Sequence, residues 1–423
     1  MGVALNSISA KPKSITRDAL TLLTSTAAGQ MLLMVALPAL TRTYSAEQFG
    51  FFGVYSAAVS ILAVLINLRI DLAVMTATTE EYAGRMAVLS IKCAFVLGLL
   101  ASLVLVIGAY GWSSYHNELP QLWIVAVPIA AAATAIFNTL CAWHARMTRF
   151  RLVAERRFLQ VFIMVGLQLV FAWFIPINAG LILGSLLAYL ITVVSWLGRT
   201  ITLDQGLLFR ISWKNAWCDI LSLKSFSVKA ISVDTLSQLL SQLPMVYLGY
   251  CFSAQAMGYY TLTLRILGAP VNMLGGAIAE VFRPRVTQAY VDYGNCRELF
   301  IKTLKSLVIM MALGSLTLTW FLPDFFTLLF GSSWRESGVY AQILVPVFAF
   351  KLLAHPLSYT ILLRNRMDIE IKLHLVMLFL LLSIMYACVQ LSLPIRQMLL
   401  YYAALYVGFY IAYLYYSYKF SLN

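Results

Sequence analysis

Residues 38–62 read PALTRTYSAEQFGFFGVYSAAVSIL, in which one apolar run ends, a short polar turn follows and a second apolar run begins. The pattern returns once, about half a chain later. Tyr44–Phe52 aligns without a gap on Phe252–Tyr260, with Ser, Ala and Gly identical and most aromatic positions kept in kind. The repeat predicts two halves that each open with the same helix-turn-helix. Such repeats are typical of secondary transporters with a substrate path between the halves.

The composition is that of a polytopic membrane protein. Hydrophobic residues make up 61% of the 423 residues and charged residues only 11%, whereas a soluble domain is roughly half apolar and a quarter charged. Membrane topology accounts for nearly all of the formal charge of +13, so no nucleic-acid partner is expected. The six cysteines contain no CxxC pair, which indicates small core residues and no disulfide framework, metal site or cofactor.

Twelve apolar runs are long enough for a helix of about 20 residues to cross the hydrocarbon core, so the predicted fold class is all-α. They cover roughly residues 19–41, 49–68, 86–109, 121–143, 156–176, 178–198, 229–251, 256–280, 303–322, 338–362, 370–391 and 396–418. Prolines inside these runs predict bends within helices: Pro38, Pro244, Pro270, Pro346 and Pro356. The polar N-terminus and long first run predict a retained span and not a cleaved signal peptide.

The distribution of lysine and arginine predicts the orientation in the membrane. With a cytoplasmic N-terminus, nearly all loop cations face the cytoplasm, and only Arg42, Arg335 and Arg396 face the other side. Both termini are therefore expected in the cytoplasm. Six spans in each half also give the two halves the same orientation, related by a pseudo-twofold axis along the membrane normal.

The predicted organisation has five parts. They are a cytoplasmic N-terminus (1–18), a first lobe of six helices (19–198), a cytoplasmic linker (199–225), a second lobe of six helices (226–418) and a cytoplasmic C-terminus (419–423). The linker carries Trp213, Trp217 and spaced apolar residues, which favours an interfacial amphipathic helix.

Two cations fall deep in the predicted spans, Arg265 in the eighth and Lys351 in the tenth. Burying each in lipid costs about 2.5 to 3.5 kcal/mol, so both are expected to face a wet cavity or a partner. A positive cavity would suit an anionic group such as a diphosphate. The alternative is neutralisation by a carboxylate inside the bundle, for which Asp234, Asp71 and Glu280 are the few candidates.

The seventh span carries a polar stripe at spacings of three and four. Its members are Asp234, Ser237, Gln238, Ser241 and Gln242. These spacings place all five on one helical face, which is expected to line the path and to offer Gln238 and Gln242 to a substrate. The matching face of the first span consists of small residues, Thr21, Thr24, Ser25, Ala28 and Gly29, which fits either a path or simple helix packing.

Asp234 is also a functional candidate, and His355, Arg69 and Arg42 each have two possible roles. Asp234 is a candidate for proton or cation coupling, because low dielectric favours the neutral carboxyl. His355, one turn after Lys351, is a second coupling candidate or a satisfied core histidine. Arg69, with Asp71 as its local partner, is an interfacial anchor or a contact for an entering headgroup, and Arg42 on the opposite face has the same two readings.

Several of these stretches resemble one known family. ALTLLTSTAAGQ (19–30), LPALTRTYSAEQFGFFGVYSAA (37–58) and LRIDLAVM (68–75) resemble the start of the Wzx-type O-antigen flippases. These are polysaccharide-repeat-unit transporters of the multidrug/oligosaccharidyl-lipid/polysaccharide exporter superfamily. AIAEVFRPRV (277–286) is similar to the family's eighth span near its cytoplasmic end. The remainder of the chain resembles the family through its architecture.

The resemblance implies a flippase of the bacterial cytoplasmic (inner) membrane. Such a protein moves undecaprenyl-diphosphate-linked oligosaccharide from the cytoplasmic to the periplasmic leaflet by alternating access, coupled to H+ or Na+. Arg265 and Lys351 fit the family's cationic lumen. The implied partners are the lipid-linked oligosaccharide, the bilayer and, in the same pathway, a polysaccharide polymerase and a chain-length regulator.

Other functions fit the sequence less well. A drug or metabolite antiporter of the same superfamily would favour acidic, aromatic lumens and not deep cations. A lipid II flippase usually has two more spans and additional arginines near its start, which this chain lacks. An enzyme such as a polymerase needs convergent catalytic residues, and the longest outward loop, residues 323–338, has no evident acid–base pair.

Overall fold

The computed structural model describes residues 12–77, 79–112, 121–174, 179–204, 213–364 and 366–422. Its fifteen α-helices are α1 (Pro12–Thr43), α2 (Ala46–Asn67), α3 (Ile70–Thr76), α4 (Glu80–Trp112), α5 (Gln121–Arg146), α6 (Phe150–Phe174), α7 (Gly180–Leu203), α8 (Trp213–Cys251), α9 (Ala254–Tyr293), α10 (Arg297–Thr319), α11 (Leu322–Phe330), α12 (Arg335–Leu357), α13 (Tyr359–Leu363), α14 (Met367–Gln390) and α15 (Ile395–Leu422). Within these ranges there is no strand, which confirms the all-α prediction.

Within the described residues, eleven of the twelve predicted spans overlap one long helix each, and the tenth (338–362) covers most of α12 together with the short helix α13. Nine helices of the described ranges are long and apolar enough to cross a membrane. The three long helices outside that set are α1, α8 and α10, so the count of twelve remains a prediction. All five prolines that predicted bends lie inside helices. Helix α7 runs to Leu203 and α8 begins at Trp213, so both ends of the predicted linker are helical; the side chains of Trp213 and Trp217 lie outside the described part.

The repeated motif is a helix start in both halves. Ser45 precedes α2, where its Oγ accepts the N–H of Gln48 and the Gln48 side chain accepts the N–H of Ser45 at 2.8 Å. Ser253 precedes α9, and its Oγ accepts the N–H of Ala256 at 3.1 Å. These caps satisfy N–H groups that the first turn of a helix leaves without partners. Equivalent serines therefore cap equivalent helices in the two halves.

Helices α1–α7 (the first half) pack mainly on one another, as do α8–α15 (the second half). Contact between the halves involves mainly α1, α2 and α4 on one side and α8, α9 and α11 on the other, with α2 against α9 the largest. We call the end where α2 and α9 begin (Ala46 and Ala254) the outer end, and the end where α2 finishes (Asn67) the inner end, after the predicted orientation.

The halves meet most closely at a symmetrical crossing of α2 and α9. A methyl group added to Gly50 would overlap the backbone of Ala254, and one added to Gly258 would overlap the backbone of Ala46. These four residues are equivalent in pairs in the sequence repeat. The crossing is thus two copies of an Ala-x-x-x-Gly motif, the spacing that lets helix backbones approach within a membrane. We call it the glycine crossing.

Trp334 adds an aromatic contact beside the glycine crossing. This residue of the second half is 2% exposed, and its Nε1–H donates to the carbonyl oxygen of Thr41 in the first half at 3.1 Å. Its ring packs edge-on against Phe49, with centroids 5.1 Å apart, and against Tyr259, with centroids 6.0 Å apart. The outer end is therefore closed by backbone contact and by a buried indole.

The glycine crossing generates a stability prediction. Gly258→Ala forces α2 and α9 apart, and overpacking of this kind costs about 1 to 3 kcal/mol, so the thermal unfolding temperature in detergent should fall. Gly276→Ala is the matched control, because a methyl group added at Gly276, on the same helix, meets nothing within 4 Å. Equal unfolding temperatures for the two variants would contradict the proposed tightness of the crossing.

Candidate functional site

Arg265 lies between the halves, just inside the glycine crossing. It projects from α9, and its guanidinium carbon stands 4.6 Å from the ring centroid of Phe52 and 5.8 Å from that of Phe49, both on α2. Its Nη1 is buried and has no hydrogen-bond partner among the described residues. Cation–π contact orients the group without satisfying its N–H donors.

No ion pair of the described chain contains Arg265 or Lys351. The alternative of a carboxylate partner for each is therefore not seen in the described part. Of the three candidate carboxylates, Asp234 and Asp71 contact Arg69, and Glu280 lies near Arg283 and Arg157. A buried guanidinium with an unused donor is suited to an anionic oxygen, which would offset its desolvation.

Lys351 lies on α12, with its Nζ 5.8 Å from the ring centroid of Phe348. Gly268 of α9 faces Phe348, and Gly275 faces His355, so α9 and α12 run parallel. In this register Lys351 lies roughly 9 Å closer to the inner end than Arg265, at about 1.5 Å per residue. The structure places the two cations on adjacent helices at different depths and shows no contact between them.

His355 is an exposed residue beside α9. A methyl group added to Gly275 would lie 3.3 Å from its Nδ1, and Arg283 and Lys351 are its charged neighbours. Among the described residues it therefore stands in a cationic surrounding. Its role in coupling stays a prediction.

Arg69 and Asp234 form an ion pair that joins the halves at the inner end. Arg69 follows α2, and its Nε contacts the Oδ2 of Asp234 on α8. The Nη1 of Arg69 also donates to Asp71 at 3.4 Å. The side chains of Arg69 and Asp234 are 27% and 32% exposed, so the pair is neither a free surface pair nor fully buried. The sequence predicted only the local partner, Asp71.

The polar face of α8 is turned away from the core of the second half. Leu240 is buried on that helix, and its carbonyl oxygen accepts the hydroxyl of Tyr406 from α15. Gln238 and Gln242 are partly exposed, and the ion pair of Asp234 shows that this end of the stripe faces the first half. The predicted face therefore meets the space between the halves at its inner end.

Arg42 lies at the outer end and is exposed. It lines a cavity of about 400 Å³ over the closed outer end, together with Tyr44 of the first half and Gln255 and Tyr259 of the second.

In the first span, a methyl group added to Gly29 would lie 3.7 Å from Val161 of α6. Packing therefore explains that residue, while the side chains of Thr21, Thr24 and Ser25 lie outside the described part.

Lys92 is a further cation inside a predicted span, which the sequence prediction of deep cations omitted. It lies seven residues into the third predicted span and lines a cavity of about 310 Å³ between α4, α5 and α7, with Thr139 and Trp143. Counting cations within each span would have found it.

Asp204, just after α7, is a buried carboxyl with a structural explanation. Arg149 donates to both of its oxygens, at 2.8 and 2.9 Å, and Trp143 Nε1 donates at 3.0 Å. Burial alone would raise the pKa of Asp204, but these hydrogen bonds outweigh it and hold that pKa below its usual value. The residue ties the α5–α6 connection to the end of α7 and remains ionised at neutral pH.

Comparison with known proteins decides the family. The family model described as "Polysaccharide biosynthesis protein" matches residues 39–339, which is most of the chain. The chain belongs to this family. Of the curated proteins, the teichuronic acid biosynthesis protein TuaB of Bacillus subtilis (strain 168) is 22% identical over 196 residues. That match spans 44% of this chain and 39% of the relative's own length.

Solved structures show the fold of this polysaccharide biosynthesis family member. An inward-facing multidrug resistance MATE family transporter of the MOP superfamily superposes with a TM-score of 0.61 at 16% identity, covering 97% of this chain and 94% of that one. A MOP superfamily transporter from Pyrococcus furiosus, titled as having a binding pocket of reverse polarity, gives a TM-score of 0.65 at 14% identity, covering 96% and 94%. The chain therefore has the fold of MOP-superfamily transporters.

The unpaired guanidinium generates a binding prediction. Purified protein should bind inorganic pyrophosphate, and Arg265→Ala should weaken binding about tenfold or more, the loss expected for hydrogen bonds to a charged group. Arg265→Lys should keep part of the affinity, because it retains charge without the two-pronged donor. Isothermal titration at constant ionic strength measures both. Arg151→Ala is the control, since Arg151 is 89% exposed at the surface, and equal affinities for Arg265→Ala and this control would contradict the assignment.

Proposed function

We propose that the protein is a flippase that moves undecaprenyl-diphosphate-linked O-antigen or related oligosaccharide units from the cytoplasmic to the periplasmic leaflet. The observation that carries the proposal is the guanidinium of Arg265 between the two halves, whose buried Nη1 has no hydrogen-bond partner among the described residues. Membership of a polysaccharide biosynthesis family supports a glycan cargo, and the transporter fold supports movement between two halves. The lipid-linked diphosphate supplies the anion that such a guanidinium would bind.

The residues divide into three proposed roles. Arg265 and Lys351 bind the diphosphate at successive depths, since they lie on adjacent helices about six residues apart in register. Gln238 and Gln242, on the partly exposed face of α8, donate and accept hydrogen bonds with sugar hydroxyls. Arg69 and Arg42 meet the headgroup at the inner and outer ends.

Coupling to H+ or Na+ is assigned to Asp234 and His355. Both lie next to cations in the structure, Asp234 beside Arg69 and His355 near Lys351 and Arg283. In this proposal the protein spans the bacterial inner membrane with both termini in the cytoplasm. It delivers its cargo to a polysaccharide polymerase and a chain-length regulator.

A drug or metabolite cation antiporter is the second candidate. The fold favours it, because the structural relative with a TM-score of 0.61 is a multidrug resistance transporter. The charge between the halves opposes it, because Arg265 and Lys351 have no described carboxylate partners, whereas an organic cation needs an anionic or aromatic site.

Deletion of the gene in its own host distinguishes the two. We expect lipid-linked repeat units to accumulate on the cytoplasmic leaflet and long surface polysaccharide to be lost. A plasmid copy with Arg265→Ala should restore about a tenth of the polymer or less, while Arg151→Ala should restore it fully. Normal polymer in the deletion strain, with altered resistance to cationic compounds, would support the antiporter instead.

A further inference from the structure

Among the described residues, one ion pair joins the two halves at the inner end. Arg69 belongs to the first half and Asp234 to the second. This contact has a different character from the outer end, where backbone meets backbone at the glycine crossing. A pair of charges that is about a quarter to a third exposed remains within reach of solutes, whereas a glycine contact does not.

Arg69 sits at a strained joint in the chain. Leu68 and Arg69 have φ of 49° and 53°, the left-handed region, and they separate α2 from α3. L side chains rarely adopt this conformation, and two consecutive non-glycine residues persist in it only where surrounding contacts hold them. Among the described residues, Arg69 forms ion pairs with Asp71 and Asp234.

Two further carboxylates, Asp71 and Glu370, act on Asp234 of this pair. Asp71 has a side chain that is 14% exposed, and its Oδ1 is buried without a hydrogen-bond partner. Glu370 of α14 also acts on Asp234 and is held by the hydroxyl of Tyr413. Asp234 therefore stands among like charges, and Arg69 offsets that repulsion. An external anion with higher charge density could compete for the same guanidinium.

We propose that Asp234 is a resident counterion: it occupies the anion position of Arg69 when no substrate is present and is displaced by the phosphate oxygens of an arriving diphosphate. This inference rests on the proposed function for the identity of the anion. Displacement breaks the bridge between the halves and frees the left-handed joint, so α2 and α3 can join as one helix. The anion thus opens the inner end because it binds better to the open state, without the Arg69–Asp234 pair, than to the closed state.

The test measures the distance across the inner end in purified protein. Spin labels are placed at Met75→Cys on α3 and Tyr293→Cys at the end of α9, both exposed sites, in a variant with the six native cysteines replaced. Without ligand, Asp234→Asn should lower the short-distance population at least about threefold, the scale of a partly exposed ion pair. Inorganic pyrophosphate should do the same to the wild type, while chloride at equal ionic strength should not.

Two further variants control for misfolding as the cause of a changed distance. Asp368→Asn is the matched control, because Asp368 pairs with Arg366 within the second half; it should leave the distances unchanged. Arg69→Asp combined with Asp234→Arg should restore the short distance that either single change lengthens. In the Asp234→Asn protein, pyrophosphate should have no additional effect.

Either of two results overturns the proposal: an unchanged distance distribution in Asp234→Asn, or no response of the wild type to pyrophosphate. Both readouts are independent of transport. If the deletion strain keeps its surface polymer while pyrophosphate opens the inner end, the flippase function fails and the counterion exchange stands. If polymer is lost but pyrophosphate leaves the distance unchanged, the flippase stands and the exchange fails.

Discussion

Backbone contact at the glycine crossing closes the outer end of the space between the two halves of this protein. In a membrane, apolar side chains gain little by leaving lipid for one another, so helices associate where small residues let backbones approach. Gly50 and Gly258 provide such an approach at equivalent places in the two halves, and Trp334 seals the region beside them. The contact lies at one end only. The alternating-access cycle proposed for this protein would therefore require the halves to separate at this contact.

The charged contacts follow from this arrangement. Arg265 lies just inside the crossing, held against Phe52 of the opposite half, while Arg69 and Asp234 join the halves at the other end. Charges within a membrane protein are costly unless they face a partner or water, so their placement between the halves indicates where the wet path runs. Arg69 has an internal carboxylate partner, and Arg265 has a buried Nη1 with no hydrogen-bond partner among the described residues. In the proposed function, an anionic headgroup would pass these two cations on its way from the inner end towards the outer end.

Much of the fold could be predicted from the sequence because membrane helices depend on local patterns. Apolar length located the long helices, and the Ser-Ala repeat located the capped starts of α2 and α9. The polar stripe of α8 was also predictable, since helical spacing alone puts Asp234 and Gln238 on one face. The ion pair of Asp234 was not predictable: its partner Arg69 lies far away in sequence, and local reasoning paired that arginine with Asp71. The stacking of Arg265 on Phe52 was hidden for the same reason. The glycine crossing was visible only in part, because the repeat showed the two glycines without showing that they face each other.

The proposed flippase function requires the halves to separate at the outer end, and a reversible cross-link tests that requirement most directly. Thr43 and Gln255 line the same outer cavity from opposite halves. Thr43→Cys and Gln255→Cys, in the variant without native cysteines, can be joined by a short bis-maleimide with a reducible centre in membrane vesicles. Delivery of lipid-linked oligosaccharide to the opposite leaflet should stop when the cross-link forms and resume when it is reduced. Delivery at the uncross-linked rate while the halves remain joined would contradict this requirement.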